Sequence, residues 1–160
     1  MNKEAYSRTE KSMDIWETPV YFFNLLDKIF HFTLDPCADL KNTKCERFFT
    51  KEMNGLLQDW KGEKVFVNPP FSDVKNWVIK CYNEGQKENT IVVMILPSRT
   101  DTQYWHDFIM KAHKIWFAKG RVNFLINGEK TKNGSTFPLA IIIFKKTNNT
   151  YPKIKSFYHK

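Results

Sequence analysis

Asn68-Pro69-Pro70-Phe71 is the stretch of this 160-residue chain whose residue types and spacing best suit a chemical task. It follows Val65-Phe66-Val67, which reads as a short buried strand. Neither proline carries a backbone N–H, so the strand must stop there. What stands at its end is one side-chain amide, two carbonyl acceptors and one aromatic face. An exocyclic amine on a nucleobase is a poor nucleophile, because its lone pair is delocalised into the ring. Two acceptors on its N–H bonds would localise that lone pair, and the Asn68 side-chain oxygen and the Pro69 carbonyl could supply them. Phe71 could stack on the base. The amine proton becomes acidic only as a bond to an electrophilic methyl forms, so no strong base is needed. Catalysis would be positioning plus electrostatic stabilisation. The same tetrapeptide also suits a strand that ends in a Pro-Pro turn with a core phenylalanine.

The elements that must position this stretch alternate along the chain. Thr18 is a good N-cap and Pro19 a good first helical residue, and Val20, Phe23, Leu26, Ile29 and Phe30 follow at helical spacing. This predicts a helix over 19–30. Trp16, beside that cap, could close over a flat ligand. Phe32-Thr33-Leu34-Asp35 reads as a short strand ended by Pro36, with Cys37 and Ala38 after it. In an open α/β sheet ligands bind at the C-terminal ends of strands. No glycine-rich phosphate cradle follows this strand, so the dinucleotide fingerprint is missing. Asp35 could instead hydrogen-bond a charged amino group, and Ala38 would let backbone approach closely. A second strand is expected over 45–49, and Asn54-Gly55 marks a turn. A helix is expected over 73–86 with Ser72 as cap. Residues 91–96 are an unbroken apolar run, as in a strand buried on both faces. Residues 101–111 read as helix, 114–118 and 121–126 as strand pieces, and 137–145 as the final strand. Two Asn-Gly pairs mark turns in the 127–135 loop. The alternation gives a three-layer α/β domain over 15–146 with a C-terminal antiparallel hairpin. A flexible arm is expected over 1–14 and a basic tail over 147–160.

Length and composition bound the class. The chain is 42% hydrophobic and 16% aromatic, with 14 Phe, and so carries enough apolar surface for one packed core. The net charge of +8 and a pI near 9.3 point to a polyanionic partner, nucleic acid first. No apolar run is long enough to span a membrane, and the polar N-terminus does not read as a signal peptide. Cys37, Cys45 and Cys81 are an odd number without C-x-x-C spacing. They read as reduced thiols of a cytoplasmic protein, not as a zinc site.

In order, the motifs W-x-T-P, D-P-C-A-D, G-L…W, N-P-P-F, L-P-S-R-T, G-R-V-N-F and P-L-A-I-I-I-F resemble those of the compact phage-type DNA N6-adenine methyltransferases, over residues 16–144. The resemblance implies a Rossmann-like methyltransferase fold with a reversed final strand and S-adenosylmethionine as cofactor. It implies a partner in DNA with an adenine-containing target site, and the host cytoplasm as location if a phage encodes the chain. Asn68, Pro69, Pro70 and Phe71 would hold a flipped adenine. Asp35, Pro36, Cys37 and Ala38 would line the cofactor pocket with Trp16, Thr18, Pro19 and Asn68. Glu46, beside the presumed second strand, or Asn54 would reach the cofactor's ribose or adenine. The chain departs from the larger family pattern in two respects. The glycines usual after the first strand are missing, and the span from Asp35 to Val65 is too short for two full strand–helix units. A trimmed sheet that lacks or shortens one edge strand is expected. No separate recognition domain is evident, so DNA reading falls to loops: Arg99 in one, Lys130 and Lys132 in the other. Other readings stay open at this point. The same motif suits cytosine N4, RNA or a protein amide, and basic charge with many aromatics suits a non-catalytic nucleic-acid-binding protein. A hydrolase of Ser98, Asp101 and His106 lacks nucleophile-elbow glycines.

Overall fold

The structure is a computed structural model that describes residues 14–130 and 135–159. Its centre is a seven-stranded sheet: β1 (Leu34–Asp35), β2 (Arg47–Phe48), β3 (Lys64–Val67), β4 (Ile91–Pro97), β5 (Lys114–Ala118), β8 (Leu139–Phe144) and β9 (Lys153–Phe157), in the order β2-β1-β3-β4-β8-β5-β9. β8 is antiparallel to both its neighbours, and every other pairing in the sheet is parallel. A separate hairpin pairs β6 (Leu125–Ile126) with β7 (Glu129–Lys130). The fold is therefore mixed α/β with a mostly parallel sheet.

Both faces of the sheet are covered, which is why β4 and β8 are apolar without alternation. Val92, Met94 and Leu96 join Ala140, Ile142 and Phe144 in one core, with Trp77, Val78 and Cys81 of α2 (Val74–Gly85) and Tyr104 and Trp105 of α3 (Gln103–Asp107). Val93 and Ile95 join Leu139, Ile141 and Ile143 in the other, with Phe22, Phe23 and Leu26 of α1 (Val20–Phe30) and with Val122 and Phe124. These are the three expected layers. Among the described residues no helix is long and apolar enough to cross a membrane.

Several elements differ from the sequence expectations. α1 begins at Val20 and has no side-chain cap; the Pro19 carbonyl instead accepts from the N–H groups of Phe22 and Phe23. Thr18 is thus not a cap, because its side chain is turned inward and buried. Ser72 is not a cap either, since its hydroxyl donates to Asp14. The expected 101–111 helix is one short α-helix followed by a 3-10 turn (Ile109–Lys111). Of the strand expected over 121–126 only Leu125–Ile126 forms. The stretch expected as a basic tail supplies β9, which adds to the edge of the sheet beside β5. Its lysines hid it, yet Phe157 stacks flat on Trp116 at 5.7 Å and the Lys155 ammonium lies 3.9 Å from the Trp116 ring centre. Apart from Asp14, the arm expected over 1–14 lies outside the described residues.

Candidate active site

β1, β3 and β4 run parallel, so their C-terminal ends open on one edge of the sheet. That edge brings Asp35, Asn68 and the Ser98-Arg99 turn to one side of the molecule. A cavity of about 240 Å³ lies there, and its walls include Trp16, Thr18, Asp35, Cys37 and Asn68. With Pro70, which also lines it, six of the residues expected from the sequence thus meet around one space. Among the described residues, four carboxylates (Asp14, Glu17, Asp35, Asp39) and a single lysine (Lys44) line it. In a chain of net charge +8, the cavity has the opposite sign to the molecule.

Asp35 ends β1 and is buried. Its carboxylate accepts from the Lys44 N–H at 3.2 Å. Burial pushes its pKa up to about 6, and the N–H groups of Lys44 and Cys37 only partly offset this. The loop after it is fixed by backbone packing. A Cβ on Gly55 would stand 2.0 Å from the Pro36 carbonyl oxygen, so only glycine fits. Trp60, fully buried, donates its ring N–H to the Gly55 carbonyl at 3.1 Å and holds that contact shut. Pro36 and Ala38 are buried, with the Ala38 N–H donating to the Phe49 carbonyl. The Cys37 thiol donates to the Asn68 carbonyl at 3.2 Å, and burial raises its pKa well above the usual thiol value, which keeps that proton in place.

Asn68 follows β3 directly. Its side-chain NH2 donates to the Trp16 carbonyl at 2.8 Å. Its Oδ1 is buried and has no hydrogen-bond partner among the described residues, and the same is true of the Thr18 hydroxyl. Two buried polar groups without partners among the described residues, on the wall of one cavity, suit a polar ligand. Phe71, expected as a stacking face, is 2% exposed in a 3-10 turn (Phe71–Asp73). Phe137 meets it edge-on at 5.5 Å and in turn stacks on Trp16 at 5.7 Å.

Glu46 and Asn54 are not brought to the cavity. Glu46 is exposed beside β2, and the Asn54 side chain accepts from the Leu56 N–H, capping a 3-10 turn (Gly55–Leu57). Pro19 caps α1 and does not line the cavity. Arg99 sits on the same edge as Asn68, while Lys130 is exposed at the end of the β6–β7 hairpin; Lys132 lies outside the described residues. Sequence reasoning missed Asp39, Asn42, Lys44 and Asn127. The Asp39 and Asn42 side chains lock each other through an Asx turn, with Asp39 Oδ1 accepting from the N–H groups of Lys41 and Asn42. The second Asp of D-P-C-A-D was the available signal.

Comparison with known proteins gives consistent results. The model of the family described as DNA N-6-adenine-methyltransferase (Dam) matches residues 6–159. A protein of Haemophilus phage HP1 (strain HP1c1), named DNA N-6-adenine-methyltransferase, is 33% identical over 159 residues, 95% of this chain and 90% of its own length. A second protein of that name, from Escherichia phage T1, is 29% identical over 119 residues, 73% of this chain and 50% of its own length.

Proposed function

Because the chain belongs to the DNA N-6-adenine-methyltransferase (Dam) family, we propose that it transfers a methyl group to N6 of adenine in DNA from S-adenosylmethionine held in the acid-lined cavity. The observation that carries this reading is the Asn68 amide oxygen, buried on the cavity wall and without a partner among the described residues. The one reversed strand, set among parallel neighbours next to β5, supports the methyltransferase form of the Rossmann sheet.

The residues present fit the cofactor. S-adenosylmethionine carries a sulfonium and an ammonium, and four carboxylates line the space. Asp35 would hold the ammonium, and the unpartnered Thr18 hydroxyl would take a polar group of the methionine end. Bound there, the cofactor supplies an electrophilic methyl. The Asn68 oxygen and the Pro69 carbonyl would accept from the two N–H bonds of the adenine amine. They would localise its lone pair and hold its nitrogen in line. The target base leaves the duplex stack to reach this depth. For Phe71 to stack on it, the Phe137 ring must move aside. Arg99 and Lys130 would meet DNA outside the cavity, and binding weakens with salt.

The test is incubation with methyl-labelled S-adenosylmethionine and unmethylated duplex DNA, followed by digestion to nucleosides. Label in N6-methyladenine is expected. Label in cytosine, or in RNA or protein supplied in parallel, overturns the substrate, and no cofactor binding overturns the reading of the cavity.

A further inference from the structure

The catalytic amide has two unlike ends. One is an acceptor and the other a donor, and a half-turn about the last side-chain bond exchanges them. Only the oxygen end can accept from an adenine N–H. The amino end would set donor against donor. Something must therefore fix which end faces the substrate, and nothing within Asn68-Pro69-Pro70-Phe71 does so.

The fixing group lies about fifty residues earlier in the chain. A backbone carbonyl accepts and cannot donate, so the Trp16 carbonyl at 2.8 Å selects the NH2 end of Asn68 and turns Oδ1 away from itself. The segment that carries this carbonyl is pinned on both sides. Behind it, the Glu17 N–H donates to the Leu125 carbonyl at 2.8 Å and the Leu125 N–H donates to the Glu17 carbonyl at 2.9 Å, a two-bond bridge to the β6–β7 hairpin. Ahead of it, Asp14 clasps the turn after the motif. Its Oδ1 accepts from the Ser72 N–H at 2.9 Å and its Oδ2 from the Ser72 hydroxyl at 2.6 Å. Asp14 and Ser72 are both exposed, so this clasp adds little to the core.

We propose that residues 14–17 are a strap that sets the polarity of the Asn68 amide, with Asp14 and Ser72 as positioning residues for methyl transfer. This rests on the reading of Asn68 as the acceptor for the adenine amine. Loosening the clasp lets the Trp16 carbonyl drift, and the amide then spends part of its time flipped. Turnover falls in proportion, while folding is spared, and so is cofactor binding where the clasp is loosened from the Ser72 side and the Asp14 carboxylate stays in the cavity wall.

The experiment measures kcat, KM for DNA, cofactor affinity and thermal unfolding in Asp14→Ala, Asp14→Asn, Ser72→Ala and Asn68→Ala. Asp14→Ala should lower kcat roughly 10-fold, the loss of about 1.4 kcal/mol of transition-state stabilisation, with melting temperature unchanged; because Asp14 is also a carboxylate of the cavity wall, cofactor affinity is judged in Ser72→Ala, where it should be unchanged. Asp14→Asn keeps one acceptor oxygen and Ser72→Ala keeps one donor, so each should recover part of that loss. Wild-type kcat in Asp14→Ala beside a dead Asn68→Ala overturns the strap and leaves the acceptor role standing. Full turnover in a folded Asn68→Ala overturns the acceptor role itself. A fall in melting temperature that parallels the fall in kcat across the Asp14 and Ser72 variants assigns the clasp to stability and overturns the positioning role.

Discussion

Asp35 and Glu84 are both carboxylates in deep burial, at 5% and 3% exposure, and their surroundings treat them in opposite ways. Burial alone would raise the Glu84 pKa, but it ends below the ordinary value because Lys80, Lys87 and the Trp60 N–H all donate to it. The Lys80 ammonium is also 5.1 Å from the Trp60 ring centre, so charge and core are joined in one network. Asp35 receives backbone N–H groups but, among the described residues, no salt bridge, and its pKa rises to about 6. A cation within hydrogen-bond reach would reverse that shift. The difference separates a charge that holds the fold from one left under-satisfied, at some expense in stability, which the cationic ligand of the proposed function would complete.

The comparison can be sharpened first at the site end. Asn68→Ala, which removes a buried acceptor from the cavity that Asp35 also lines, should lower turnover roughly 100-fold or more, as loss of a preorganised polar group does, with cofactor affinity largely retained in a binding titration. Asp35→Asn should weaken S-adenosylmethionine about 10-fold or more by calorimetry, on the scale of a lost charge-assisted hydrogen bond, yet stabilise the free protein at neutral pH. The sign follows from linkage. A carboxyl whose folded pKa is raised gives its full stabilisation below pH 3.8 and loses it as pH rises through about 6. A shift of that size corresponds to about 3 kcal/mol. Cofactor affinity of the native chain should accordingly fall as pH drops through 6, where Asp35 takes up its proton.

Glu84→Gln tests the other side. It should lower stability by about 1–3 kcal/mol in urea unfolding, without moving cofactor affinity. Its sign with pH is the reverse. The Glu84 contribution is present above the unfolded carboxyl pKa and is lost as pH falls through the lowered folded value. If Glu84→Gln weakens the cofactor, or if Asp35→Asn destabilises at pH 7, the contrast between the two acids is broken. The smallest expected effect is outside both. Lys130→Ala should reduce the salt slope of DNA binding by about 1 and leave turnover at saturating DNA intact.

The sequence made some of this legible and left the rest dark for physical reasons. β4 and β8 could be read because six successive apolar residues have one explanation in a sheet covered on both faces. Asn127-Gly128 could be read because both residues take positive φ, as a tight hairpin turn demands. Asp35 and Asn68 stood out as polar groups at the ends of apolar runs, and the parallel sheet then joined them. Thr18 was misread as a cap because local chemistry cannot show that Glu17 pairs with Leu125 and turns the next side chain inward. Phe71 was expected as an open platform, but its neighbour Phe137 lies 66 positions later in the chain. Asp39 and Lys44 belong to the cavity through a loop that carries no periodicity.

The reversed strand has a consequence for how the chain is made. β8 lies between β4 and β5, yet it is synthesised after both. Until residues 139–144 leave the ribosome, β4 presents an apolar edge with no partner, and neither core can close. Such an edge invites pairing with other chains. The N-terminal two-thirds, which already holds Asp35 and Asn68, therefore cannot complete its sheet as it emerges. Folding waits on a late insertion between two strands already made, and a truncation before Leu139 should yield aggregate in place of a smaller domain.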